Sequence, residues 1–152
     1  SMAMPAPLML STALTDEPPQ GELQSLIPGR TLTRRKVAGI KLDIDPRYAV
    51  TDKISSGAYG EVLAAVDTRR NVPVAVKKVE NAFECLEDTK RVLREIRLLR
   101  CVSHPCIISL YDLVPPHREA FEDITIVFPR METDLKVILK SPDKKLHKGD
   151  MR

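Results

Sequence analysis

Tryptophan is absent, and aromatic residues make up only 4% of the 152 positions. Any core must be built mainly from Val, Leu and Ile, and a hydrophobic content of 43% is enough for one. Cysteine is scarce too. Cys85, Cys101 and Cys106 are odd in number and irregular in spacing, which suits reduced thiols in an intracellular protein, cytoplasmic or nuclear. Cys101 and Cys106 lack the tight pairing and histidine partners of a zinc site, so no metal is assigned to this chain. No apolar run nears the roughly 20 residues that cross a bilayer, which argues against a membrane span. "APLMLSTAL" is short and has no basic residue before it, which argues against a signal peptide. A strong charge imbalance is also missing. The net charge is +3 with Lys and Arg spread along the chain, which fits a solvated surface and gives no case for nucleic acid.

What is present changes in character along the chain. Residues 1 to about 30 are rich in Pro, Ser, Thr and Gly, with "EPPQGE" and "IPGR" as breakers, and read as an extended or disordered tail. A basic cluster, "RTLTRRKVAGIKL", follows, and globular patterning starts near Tyr48. "YAVTDKI", "EVLAAVDT" and "VAVKKVE" read as three strands, the first two joined by the turn "SSGAYG". "EDTKRVLREIRLLRCV" switches to the helical period, with Val92, Ile96 and Leu99 on one face and Asp88 as N-cap. "CIISLYDLV" and "DITIVF" read as two further strands joined by "PPHREAFE", and "TDLKVILKS" as a short helix. The tally is α+β: five strands, with one helix after the third.

"KISSGAYGEV" holds the candidate site. Glycines let backbone N–H groups approach phosphate oxygens closely. A Walker A loop would need Lys after its last glycine, whereas Gly60 is followed by Glu61. A dinucleotide fingerprint would need a helix next and an acid about 20 residues on, whereas a strand follows and that residue is Lys77. A hairpin covering a nucleotide, followed by "VAVK" in the next strand, fits every element except Ser55. Alternation puts Ala75 and Lys77 on one face. A Lys in an apolar strand calls for a counter-ion. Glu95 borders the apolar face of the next helix and offers one.

From Tyr48 onward these stretches resemble the N-terminal lobe of a protein kinase. "GAYGEV", "VAVKKV", "NAFECLEDTKRVLREIRLLR", "HPCIISLYDLV" and "ETDL" resemble the mitogen-activated protein kinases most closely. Cyclin-dependent kinases share "GEV" and "REI" but carry a different helix signature and usually a shorter link after the fourth strand. The resemblance implies a five-stranded antiparallel sheet with one helix over residues 47–131. An extension over 1–46, largely disordered and basic near 34–36, precedes it, and the start of a second lobe follows over 132–152.

The resemblance further implies ATP as cofactor, with Mg2+ bound by the second lobe. Lys77 and Glu95 form the catalytic pair, Lys77 on the α- and β-phosphates and Glu95 fixing Lys77. The turn Ser55, Ser56, Gly57, Ala58, Tyr59, Gly60 and Glu61 covers the phosphates. Ile54, Val62 and Ala75 roof the adenine. Phe128 closes the rear pocket, Pro129 offers a carbonyl and Met131 an N–H to adenine, and Asp134 meets the ribose. Arg91 and Arg94, three apart on one helix face, meet an activation-loop phosphothreonine. Implied partners are protein substrates, an upstream activating kinase and proteins with docking motifs. "RRKVAGIKL", with Ile40 two residues before Leu42, resembles such a docking peptide; the plainer reading is a basic linker entering a strand.

The sequence to Arg152 contains neither "HRD" nor "DFG", so it holds no catalytic base and no magnesium aspartate. It is expected to stop just inside the second lobe and to be inactive alone, with its own second lobe, as a separate fragment, among the partners the resemblance allows. The competing reading is a non-catalytic lobe that binds partners.

Overall fold

Asp45 and Tyr48 divide the chain into two strand systems. The computed structural model describes residues 15–57 and 60–140. β1 (Thr15–Gln24), β2 (Thr31–Val37) and β3 (Ile40–Ile44) form one sheet in that order. β2 and β3 make a hairpin in which Val37 pairs with Ile40 across Ala38 and Gly39, whose φ values are +49° and +80°. Two consecutive positive φ angles match the right-handed twist of the flanking strands. The register sets Thr33, Arg35 and Val37 on the same face as Ile44, Leu42 and Ile40. That face is buried, with Val37 and Leu42 at 1% and 3% exposure.

β4 (Tyr48–Gly57), β5 (Gly60–Asp67), β6 (Val72–Val79), β7 (Asp112–Val114) and β8 (Ile124–Pro129) form the second sheet, in the order β4-β5-β6-β8-β7 and antiparallel throughout. This is the five-stranded sheet expected. Its outer face carries Val50, Leu63, Val74, Val76 and Val127, which share one core with Leu32, Val37, Leu42 and Ile44 of the smaller sheet. Its inner face carries Ile126 and Phe128, which pack against Ile96 of α1 (Leu86–Cys101), with Val92 and Leu99 beside it. The helical stripe read from the sequence is therefore the face that docks. A last helix, α2, spans Leu135–Lys140.

Three expectations are corrected. A largely disordered extension over 1–46 does not hold for residues 15–44, because the hairpin gives the basic segment an apolar face that the outer side of the main sheet covers. The plainer reading of "RRKVAGIKL", a basic segment entering a strand, is the one the fold fits: Ile40 and Leu42 lie in β3 and in that core, so the side chains a docking peptide would present are buried. Asp88 is not the N-cap of α1. That place falls to Cys85, which caps with no side-chain bond, while the Thr89 hydroxyl donates to the Ala82 and Cys85 carbonyls, each at 2.9 Å. Finally, "CIISLYDLV" is a strand only at Asp112–Val114. Before it, His104 makes a turn, accepting from Ile107 N at its carbonyl and from Cys106 N at Nδ1.

A partly buried charge cluster ties the two sheets. Arg30 donates to both Asp112 oxygens, at 3.0 and 2.7 Å, and to Asp45 at 3.3 Å. Arg47 donates to Asp112 at 2.5 Å and stacks over the Tyr48 ring, and the Tyr48 hydroxyl donates to Asp112 at 3.1 Å. Burial alone would raise the Asp112 pKa; the bonds and charge of Arg30, with Tyr48 and Arg47, outweigh it and hold the carboxyl below its ordinary range. Tyr48 moves the opposite way, pushed up by burial and then by the Asp112 charge.

Candidate functional site

The inner face of the main sheet gathers the residues of the candidate site. Val62 pairs with Lys77 and Ala64 with Ala75 across β5 and β6, while Lys77 faces Ile126 and Ala75 faces Phe128 across β6 and β8. Residues paired in antiparallel strands share a face, so Val62, Ala75, Lys77 and Phe128 point the same way. Ile54 falls at a register shift between Lys53 and Ser55, a β-bulge that leaves it unpaired and half exposed.

Lys77 Nζ donates to both oxygens of Glu95, at 2.8 and 3.1 Å. The Lys77 side chain is 20% exposed and that of Glu95 40%, so the ammonium is the more sheltered partner. α1 delivers Glu95 because Ile96, its one buried residue, anchors the neighbouring position on the sheet. The pair predicted from alternation and helical phase is thus formed directly.

Above this face β4 and β5 close with Gly57 opposite Gly60. The two glycines differ. Gly57 has open space where a Cβ would stand, whereas Gly60 has φ +109° and a Cβ there would lie 2.0 Å from the Lys78 carbonyl oxygen. Gly60 is required for β5 to approach β6; Gly57 leaves the turn unobstructed. Ser55 pairs with Val62 inside β4 and is not among the positive-φ residues, so a side chain there is unstrained. Below the turn Glu61 accepts from the Ser56 hydroxyl at 2.9 Å and pairs with Lys53 at 2.8 Å. These contacts, Lys53 first and then Ser56, hold the Glu61 carboxyl below its ordinary pKa. Glu61 therefore clamps the hairpin stem, a role the sequence did not signal because Lys53 and Ser56 belong to the opposite strand. Ala58 and Tyr59 lie outside the described residues.

The remaining positions are more dispersed. Phe128 is buried against Ile96. Pro129 ends β8, and Met131 is 60% exposed just beyond it. Asp134 accepts from Val137 N at 2.8 Å, so one carboxylate oxygen caps α2. Arg91 and Arg94 are exposed on α1, and Arg91 reaches Asp88 at 3.4 Å.

The family model described as "Protein kinase domain" matches residues 48–152. "Mitogen-activated protein kinase 16" of Oryza sativa subsp. japonica is 46% identical over 98 residues, 64% of this chain and 20% of that protein. "Mitogen-activated protein kinase 12" of the same organism is 44% identical over 98 residues, with 64% and 17% covered. "Mitogen-activated protein kinase 9" of Arabidopsis thaliana is 43% identical over the same length, with 64% and 19% covered. The chain thus spans no more than a fifth of the length of these relatives.

Proposed function

The chain belongs to the protein kinase family, and from that premise we propose that it is the ATP-holding lobe of a serine/threonine kinase of the mitogen-activated type. The observation that carries this is the Lys77–Glu95 pair, set on one sheet face with Val62, Ala75 and Phe128 beneath a glycine turn. A polyphosphate needs a fixed cation, and Glu95 holds the Lys77 ammonium in place by two bonds. A planar base needs an apolar slot, which Val62, Ala75 and Ile54 supply. Phe128 bounds that slot at the rear, and the chain from Pro129 to Met131 follows along its edge. ATP supplies the γ-phosphoryl group that passes to Ser or Thr hydroxyls of a protein substrate.

No group of three or more His, Cys, Asp or Glu among the described residues could hold a metal ion, so Mg2+ ligands would come from outside them. Arg91 and Arg94 are offered as the contact for a phosphothreonine placed by an upstream kinase. Exposed Leu98, Ile107, Leu135 and Leu139 support a second lobe packed against this one. Exposed Cys85, Cys101 and Cys106, none in a disulfide, support an intracellular setting.

Calorimetric titration with ATP tests the reading. Lys77→Met is expected to weaken binding by at least about tenfold while leaving the urea midpoint within error. Unchanged affinity in Lys77→Met overturns it.

A further inference from the structure

The glycine hairpin rests on a sheet edge. Among the described residues β4 pairs only with β5, since it stands first in the sheet order, and from Asp52 to Gly57 it is exposed. Gly57 and Gly60, which face each other at its end, bring no side chain to hold it. The stem is tied instead by side chains around Glu61.

The β-bulge at Ile54 brings those side chains together. Side chains alternate along a strand, so Lys53 and Ser56, three apart, would ordinarily point to opposite faces. The extra residue at Ile54 resets the alternation. Lys53 pairs with Leu63 and Ser56 with Glu61, and Leu63 and Glu61 are two apart on β5. All three polar side chains therefore stand on one face. It is the outer face, where Leu63 enters the core shared with the smaller sheet. Across β5 and β6 Glu61 pairs with Lys78, whereas the neighbouring Val62 pairs with Lys77, so the Glu61 carboxylate is turned away from the Lys77 side. Its Oε1 accepts from the Ser56 hydroxyl at 2.9 Å. Its Oε2 is shut off from solvent and stands 2.8 Å from Lys53 Nζ. One carboxylate thus holds two points of the opposite strand, one on each side of the bulge.

We propose that Glu61 is a positioning residue for the phosphates of ATP, acting through Lys53 and Ser56 and touching no nucleotide itself. This rests on the reading of the chain as an ATP-holding lobe and adds a residue to it. Backbone N–H groups bond phosphate oxygens only over short distances, and a site held in place before binding avoids the loss of affinity that ordering it would bring. A hairpin with a loose stem loses affinity for the phosphates it covers. It keeps its affinity for adenine, which packs on Val62 and Ala75 in paired strands.

Displacement of a fluorescent ATP analogue from the full chain, by ATP and by adenosine, tests this. Glu61→Gln and Lys53→Met are each expected to weaken ATP about fivefold and to leave adenosine within about twofold. The double variant Lys53→Met/Glu61→Gln should lose no more than the worse single one, because both act through one contact. Lys53 is exposed, so Lys53→Met keeps the test valid if Glu61→Gln shifts the urea midpoint. Equal losses for ATP and adenosine overturn the proposal. So do losses that multiply in the double variant, which would place Lys53 on the phosphates directly. Unchanged ATP affinity in Glu61→Gln, beside a loss in Lys77→Met, overturns this proposal alone. No binding of the analogue, or no displacement by ATP from the parent, overturns the ATP-holding reading and this proposal with it.

Discussion

A side chain at Gly60 would meet backbone, not a movable neighbour, since the nearest atom is the Lys78 carbonyl oxygen. Gly60→Ala should therefore destabilise the fold by about 1–3 kcal/mol through a disfavoured φ alone, and by more as β5 is pushed off β6. Gly57→Ala meets nothing within 4 Å and should stay within about 0.5 kcal/mol of the parent. Urea unfolding of the two variants checks this; equal losses would show that the turn tolerates neither. If Gly57→Ala then weakens ATP binding, the effect belongs to the site and not to folding. Ser55, the departure from a glycine at the start of the turn, carries no comparable strain because its φ is not positive.

α1 depends on one buried side chain, Ile96 at 7% exposure. Replacing buried Ile by Ala costs about 2–5 kcal/mol, and Ile96→Ala should fall near the lower end because its neighbours Val92 and Leu99 are only partly buried. The same variant should weaken ATP binding, since Glu95 is positioned by that anchor; urea midpoint and calorimetric affinity report the two effects separately. Elements of this kind were legible in the sequence because their signals are local. Val74, Val76 and Lys78 alternate with Ala75 and Lys77, and Val92, Ile96 and Leu99 recur at helical spacing. The smaller sheet was not legible. Its apolar residues are interleaved with Arg34, Arg35 and Lys36, and only pairing across Ala38 and Gly39 shows that Arg34 meets Asp43. The Arg30–Asp112 contact joins positions 82 residues apart, which no periodicity can reveal. Asp88 looks like an N-cap from sequence because a good capping residue stands near a helix start whose actual boundary is set by Ala82 and Cys85 through Thr89.

For the whole molecule, Asp112 is the rivet between the two sheets. Its folded-state pKa lies below the unfolded value near 3.8. The stabilisation is therefore fully present above that value and disappears as the pH falls through the folded pKa. Asp112→Asn should lower stability at pH 7 by about 1–3 kcal/mol, leaving Arg30 and Arg47 without their carboxylate. The gap between parent and variant should shrink below pH 3.8, as the parent protonates the same group. Thermal unfolding across the acid range measures this, and a gap independent of pH would place the loss elsewhere. β6, meanwhile, is flanked by β5 and β8, covered by the smaller sheet on one side and by α1 on the other. Lys77 thus rides on a central strand paired along both edges, while Glu95 rides on a helix with one buried residue. Segments with few buried contacts open most readily, so the ion pair is expected to part with the helix rather than with the strand, as amide exchange would report.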